Sequence, residues 1–308
     1  MKKFSVREAK EYAKKGLLEE WIHDFLITMG KNENLSLGLK KEKRYWVGPI
    51  TVSLDKLYRV CGTEKNIKFR EGEERWEKRI NRIINGIKSG WEMPPFIVTY
   101  KRRKLIIADG SHRHEALKRR GFKKYWAVIW YDSVEELVKH NTMKTAVFFI
   151  TGTSSSGKTT LVNFFKKELS FAEVHDFDEG GVPPNADEKW RKKRTNEWLE
   201  KATFYQTMGK STIICGVSVP EEIKKSKAYS PSLNVHYGFI YIDEQEIRKR
   251  LTERGWKEKL IEDNINWSKH LEKYVRAEKN NYIVDGKKYN AQQVAKKFID
   301  WILRETVK

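Results

Sequence analysis

The sequence predicts an α/β protein in two parts: a parallel-sheet domain over residues 145–308 and an α+β domain over residues 1–144. Three observations carry that expectation. The apolar, β-branched run TAVFFIT (145–151) ends in a loop where Gly152, Gly157, Lys158 and Thr159 fit G-x-x-x-x-G-K-[ST], and helical spacing follows. Beyond the loop, strand and helix signals alternate, the mark of a parallel sheet. Before it, short strands and amphipathic helices mix without that rhythm, and the charge balance shifts.

At 308 residues, with 39% hydrophobic and 12% aromatic content, the chain has room for two domains with sizeable cores. No run approaches the roughly 20 apolar residues of a membrane span, so no membrane partner is expected. The opening MKKFSVREAKEYAKK lacks a signal-peptide core. Cys61 and Cys215 fall in different halves and suggest no disulfide framework, so a cytoplasmic location is expected. Net charge is +20, from 62 basic and 42 acidic residues. Residues 1–144 hold 33 Lys/Arg against 19 Asp/Glu, a net of +14, which leaves 29 against 23, or +6, for the rest. Such an excess favours a polyanionic partner, nucleic acid or nucleotide. A Lys/Glu-rich, heat-adapted surface accounts for abundant charge but not for its imbalance.

In the N-terminal part, Ser5 and Glu8 form a capping-box pattern opening a helix that Gly16 closes. Residues 17–29 read as a second amphipathic helix, with Leu18, Trp21, Ile22 and Phe25 on one face and Gly30 as its stop. Residues 31–44 are polar and read as loop. Residues 45–60 contain short extended pieces, and Pro49 keeps at least one of them from being a central strand. Residues 71–89 form a strong helix with Trp76, Ile80, Ile83, Ile84 and Ile87 as its stripe. A compact alternation follows: strand 96–100, basic turn Lys101-Arg102-Arg103-Lys104, strand 105–108, helix 112–120, strand 125–131 and helix 133–140.

The informative piece is the strand–DGSHRHEAL–helix junction. Gly110 permits a tight turn, Ser111 is a natural N-cap, and the freed N–H groups at the helix start make an anion seat. Asp109 and Arg113 either flank that seat or pair with each other across an ordinary capped helix. His112 and His114 form an H-x-H pair with no third ligand nearby in sequence, and a metal role is not expected there. On Asp109, Gly110, His112, Arg113, Ala116 and Leu117, residues 45–132 resemble the ParB/sulfiredoxin-like superfamily, whose members carry a D-G-x-H-R-x-x-A-L-type motif after a strand. That family includes chromosome-partition proteins, sulfiredoxins and free-serine kinases, and the resemblance implies nucleotide or substrate binding at Asp109, Gly110, Ser111, His112 and Arg113. Ser111 stands where sulfiredoxins carry a reactive Cys, and a P-loop domain stands where partition proteins carry a helix-turn-helix. Neither of those two activities is therefore expected.

In the C-terminal part, the phosphate-cradling loop comprises Gly152, Thr153, Ser154, Ser155, Ser156, Gly157, Lys158, Thr159 and Thr160. Two glycines let the backbone wrap a polyphosphate, and the following helix presents its positive end. Lys158 reaches the β- and γ-phosphates, and the Thr159 hydroxyl holds Mg²⁺. A strand at 172–175, a helix at 187–208, a buried strand at 211–219, a strand at 234–242, helices at 244–254 and 256–278, a strand at 281–284 and a helix at 291–306 complete the pattern.

Three features favour phosphoryl transfer over plain hydrolysis. Asp176 and Asp178 sit after the second strand, where a carboxylate can deprotonate an acceptor hydroxyl or hold Mg²⁺; a solvated acidic loop is the bland alternative. Arg248, Arg250 and Arg254 lie in IRKRLTERG, which looks like the lid of nucleotide-type kinases, where arginines neutralise the transferring phosphoryl; an exposed amphipathic helix is the alternative. Trp190, Arg191 and Arg194 follow on a helix where such kinases hold the acceptor. One departure stands out: the third strand runs through Cys215 and Gly216 where many P-loop proteins place an Asp, so the Mg²⁺ partner is expected from Asp176 or Asp178, with Asp178 preferred. On the P-loop, the D-x-D loop and the lid arginines, this half resembles adenylate-kinase-like and polynucleotide- or nucleoside-kinase-like P-loop phosphotransferases.

The expected activity is transfer of the γ-phosphate of ATP or GTP, with Mg²⁺, to a hydroxyl. Lys158, Asp176, Asp178, Arg250 and Arg254 form the catalytic set, and the acceptor is a nucleic-acid end or nucleotide read by the basic domain, chiefly through residues 101–104 and 118–120. Two rival readings are a small-molecule kinase, for a free amino acid such as serine, and a nucleotide-gated regulator that binds DNA or RNA.

Overall fold

The computed structural model describes residues 4–308; Met1, Lys2 and Lys3, part of the stretch read above for a signal sequence, lie outside the described residues. The chain divides into two units, Met1–His140 and Asn141–Lys308.

In the first unit, α1 (Val6–Lys14) is capped by the Ser5 hydroxyl, which accepts from the Glu8 N–H at 3.2 Å. The Glu8 carboxylate accepts from the Phe4 N–H (2.9 Å) and the Trp21 indole N–H (3.0 Å), tying the cap to the next helix. That helix, α2 (Leu18–Ile27), buries Trp21 and Phe25, whose rings stack 5.7 Å apart. Residues 31–44, read as loop, contain the short helix α3 (Glu33–Lys40). Its N-cap Asn32 accepts from the Leu35 N–H at 3.3 Å, and Ser36 and Leu39 turn inward. The cap is a local signal, but two buried positions and the half-buried Leu35 in a polar segment make a faint apolar face.

Strand β1 (Tyr45–Ser53) pairs only with a later strand, at the sheet edge, and Pro49 falls in the register break between Val47 and Ile50. A missing N–H there breaks no ladder bond. Three short strands follow, β2 (Leu57–Arg59), β3 (Cys61–Gly62) and β4 (Phe69–Arg70), then α4 (Glu73–Lys88) with Trp76 and Ile80 buried. β5 (Phe96–Lys101) and β6 (Lys104–Asp109) form a hairpin whose turn residues Arg102 and Arg103 have φ of 51° and 61°. Positive φ at both positions matches the strand twist in a two-residue turn, although glycine or asparagine adopts it more easily. α5 (Ser111–Arg119), β7 (Lys124–Tyr131) and α6 (Val134–His140) complete the unit. The mixed sheet runs β1-β7-β5-β6-β2, and its core joins Trp21, Ile22 and Phe25 to Ile97, Val128 and Trp130.

In the second unit, β8 (Val147–Thr151), β9 (Ala172–Asp176), β10 (Ser211–Cys215), β11 (Val235–Tyr241) and β12 (Asn281–Asp285) form an all-parallel sheet in the order β12-β11-β8-β10-β9. The connecting helices are α7 (Lys158–Glu168), α8 (Glu188–Thr207), α9 (Pro220–Lys225), α10 (Glu244–Glu253) and α11 (Glu258–Arg276), with α12 (Ala291–Thr306) last. β8 is central and buried at all five positions, which is why its sequence runs continuously apolar. Parallel strands bring all their carboxyl ends to one edge, the place where ligands bind in such sheets. The loop after β8 and the carboxylates after β9 therefore share that edge. No helix among the described residues is long and apolar enough to cross a membrane.

Candidate active site

The loop between β8 and α7 is shaped by close approaches. A Cβ on Gly152 would lie 2.7 Å from the Ser156 hydroxyl and 3.2 Å from the Ile240 carbonyl, while Gly157 turns into α7 at φ +97°. The Thr153, Ser155 and Ser156 hydroxyls are buried and have no hydrogen-bond partner among the described residues. The Lys158 ammonium donates to the Thr153 carbonyl at 2.7 Å, folding back over the loop. Burial pushes its pKa down to about 8, helped by the charge of Arg254 and opposed by Asp178 and Asp176. Buried hydroxyls without partners, a desolvated cation and the start of a helix together form an unsatisfied anion cradle, and a nucleoside triphosphate fits it.

Asp176 ends β9 and accepts from the Thr159 hydroxyl at 3.0 Å through Oδ2, while its Oδ1 accepts from the Asp178 N–H at 3.0 Å. The structure thus brings Asp176, rather than Asp178, to Thr159. A hydroxyl and carboxylate in contact, with a second carboxylate two residues on, suit a hard ion such as Mg²⁺. Burial, and then the neighbouring Asp176 charge, raise the Asp178 carboxyl above its ordinary range. That environment makes Asp178 more basic than an ordinary carboxylate.

The absence of an Asp at the end of β10 has a steric reason. A Cβ on Gly216 would lie 2.0 Å from the Phe177 Cβ, because the chain turns there to donate from the Phe177 N–H to the Cys215 carbonyl (2.8 Å). Phe177 occupies the space that any side chain at position 216 would need. Cys215 is fully buried, and burial pushes its thiol far above the ordinary range, so it acts as an apolar filler.

The arginines divide. Arg250 donates to the Ser155 carbonyl (3.1 Å) and the Gly286 carbonyl (3.3 Å), and its Nε to Glu246 (2.7 Å). It clamps α10 to the P-loop. Arg254 caps the same helix with an exposed side chain, close enough for its charge to act on Lys158. Arg248 is held by Glu258 and Glu262 of α11. Arg191 forms a two-point ion pair with Glu222 at 2.8 and 2.6 Å and lies over the Trp267 ring. Arg194 donates to the carbonyls of Phe177 (3.1 Å) and Glu179, bracing the acidic loop.

No family model matches the chain. No curated protein matches it either. About half of it is similar to solved structures: a sugar kinase from a Janibacter species (18% identity, TM-score 0.42, 51% of this chain and 94% of that one), a gluconokinase from Sinorhizobium meliloti 1021 (14%, 0.40, 51% and 91%) and shikimate kinase from Aquifex aeolicus (18%, 0.34, 50% and 94%).

In the first unit, the DGSHRHEAL turn is built differently. Gly110, at φ +113°, is itself the N-cap of α5, and Ser111 is the first residue of the helix with no capping bond, which corrects the expectation of a Ser111 cap. Arg113 donates to Asp109 (2.6 Å), the Pro94 carbonyl (2.5 Å) and the Pro95 carbonyl (3.0 Å), so its side chain ties the turn to the segment before β5. His114 is buried on the Leu54 carbonyl at 2.8 Å. His112 faces Glu71 at 3.2 Å, a pairing across 41 residues that nothing in the local sequence announces.

Proposed function

We propose that the protein is a phosphotransferase that moves the γ-phosphoryl group of ATP or GTP to an acceptor hydroxyl. The observation that carries this reading is the meeting of Lys158, Thr159 and Asp176 at the mouth of a loop whose own hydroxyls lack partners. The loop N–H groups and Lys158 bind the phosphates, and Thr159 and Asp176 would hold Mg²⁺, which supplies charge neutralisation across the β- and γ-phosphates when bound. Asp178, with its raised basicity, accepts the proton of the attacking hydroxyl. Arg250 keeps the lid against the P-loop, and Arg254 offers its charge to the transferring group. Arg191 and Arg194 act through others, the first by fixing α8 against α9 and the second by holding the acidic loop in place.

For the acceptor we favour a nucleic-acid end or a nucleotide. The net charge of +14 in residues 1–144 supports it, and so does the surface of the first unit. Tyr58 and Phe69 are exposed and carry the ammonium groups of Lys104 and Lys68 at 4.9 and 5.0 Å from their ring centres. Exposed rings beside cations are what single-stranded nucleic acid uses, stacking on the rings and pairing phosphates with the cations. Lys101, Arg102, Arg103 and Lys104 are all exposed. Arg119, by contrast, is bound twice by Glu77 (2.6 and 2.7 Å) and once by Glu115 (2.9 Å), which leaves the hairpin as the better phosphate contact. Binding of labelled RNA and DNA oligonucleotides across a salt series tests this. A steep loss of affinity with salt, shallower in a Lys101→Ala/Arg102→Ala/Arg103→Ala variant, supports it. Salt-independent binding, or binding only of a small metabolite, sinks it.

A further inference from the structure

Away from the P-loop, Cys61, Glu71 and His112 bring a thiol sulfur, a carboxylate oxygen and a ring nitrogen within 4.8 Å of one another, the one such group of three among the described residues. Each is placed by the fold. Cys61 lies on β3, and Glu71 directly follows β4; the Phe69 N–H donates to the Val60 carbonyl and the Glu71 N–H to the Gly62 carbonyl, both at 2.8 Å, so the two residues are held side by side. His112 is in the first turn of α5, its ring centre 4.4 Å from that of Trp76, which sets the ring orientation. The Cys61 Sγ lies 3.3 Å from Glu71 Oε1, and the His112 Nε2 lies 3.2 Å from Glu71 Oε2.

The sulfur and the ring nitrogen face different oxygens of Glu71, and with one atom taken from each residue the three ligand atoms lie within 4.8 Å of one another, near enough for small side-chain rotations to gather them about one ion. Ligand atoms about 2.0–2.3 Å from a zinc-type ion lie roughly 3.3–3.7 Å from one another. We propose that Cys61, Glu71 and His112 bind a thiolate-preferring divalent ion of the zinc class, with three protein ligands and a fourth position left for water. All three side chains are only partly buried, so an ion can reach them. Arg79 donates to Glu71 Oε1 at 3.2 Å and orients the carboxylate from outside, as outer-shell partners of metal ligands do. On binding, the Cys61 thiol releases its proton to solvent and the sulfur takes the ion. His112 offers the Nε2 lone pair and keeps its proton on Nδ1, and Glu71 supplies an ionised oxygen. Without an ion the thiol stays protonated, since burial and then Glu71 push it up to about 11. A thiolate ligand is a poor match for Mg²⁺, so this site and the P-loop select different ions.

The test is titration of the metal-stripped full chain with Co²⁺ in excess Mg²⁺, read by absorption. The expected result is one Co²⁺ per chain with a thiolate-to-cobalt charge-transfer band in the near ultraviolet, displaced by an equimolar amount of Zn²⁺. Cys61→Ser removes the band and weakens Zn²⁺ binding at least about tenfold, whereas Cys215→Ser keeps both. A wild-type chain that shows no charge-transfer band at stoichiometric Co²⁺ overturns the proposal, and this reading does not depend on any variant folding. A band that survives Cys61→Ser overturns it equally.

Discussion

Two junctions in this molecule share one local device, a glycine at positive φ that opens the helix following a strand, Gly110 directly after β6 and Gly157 at the end of the loop that follows β8. At Gly157 the groups around the turn are left wanting partners: three hydroxyls have none, and Lys158 has only a carbonyl. At Gly110 the turn is closed on itself. Asp109, Pro94 and Pro95 take the Arg113 donors, and a Cβ on Gly110 would meet Phe96 at 2.7 Å and Arg113 at 3.0 Å. A Cβ on Gly157 would meet nothing within 4 Å. The helix start alone therefore does not make an anion site. What separates the two is whether distant segments have already answered the polar groups that the turn exposes.

Removing the cation from each junction should separate the two most strongly. Lys158→Ala should lower phosphoryl transfer by about 10³-fold, the scale of a lost transition-state donor, with thermal stability nearly unchanged. Arg113→Ala should do the reverse, costing about 3–5 kcal/mol by leaving Asp109 and two carbonyls unanswered, read as a fall in Tm of the first unit. Equal loss of stability in both variants would erase the distinction.

Alanine at the two glycines probes the same contrast more gently. Gly157→Ala carries the strain of positive φ, about 1–2 kcal/mol, and weakens nucleotide binding. Gly110→Ala adds an overpacking cost against Phe96 of about 1–3 kcal/mol and should unfold at lower denaturant than Gly157→Ala. The smallest effect is in pH. Lys158 is depressed from 10.5 to about 8, so its charge is present below pH 8 and lost above it. Triphosphate affinity should then be about tenfold weaker at pH 9 than at pH 7 by calorimetry, and Lys158→Arg should flatten that profile because arginine stays charged.

How much of this was legible in the chain follows the range of the contacts. The P-loop is contiguous, so Gly152, Gly157, Lys158 and Thr159 could be read directly, as could the strands and long helices around them, whereas the short α9 was missed and the strand read over 211–219 ends at Cys215. Helix α3 escaped because only Ser36 and Leu39 are fully buried, with Leu35 half-buried beside them, in an otherwise polar stretch. The preference for Asp178 over Asp176 beside Thr159 came from a loop whose backbone turn, with the Asp178 N–H on Asp176, no pattern specifies. Cys61, Glu71 and His112 are separated by 10 and 41 residues, and only the pairing of β3 with β4 and the packing of His112 against Trp76 bring them together. Long-range pairing is what sequence periodicity does not carry.

The central claim, that the Gly157 junction is the donor site of a phosphotransferase, is tested most directly by incubating the full chain with γ-labelled ATP or GTP, Mg²⁺ and a set of 5′-hydroxyl RNA, 5′-hydroxyl DNA and nucleoside acceptors. Label should appear covalently on one acceptor class and vanish with Lys158→Ala. Release of labelled inorganic phosphate alone, or transfer that persists undiminished in Lys158→Ala, would contradict it.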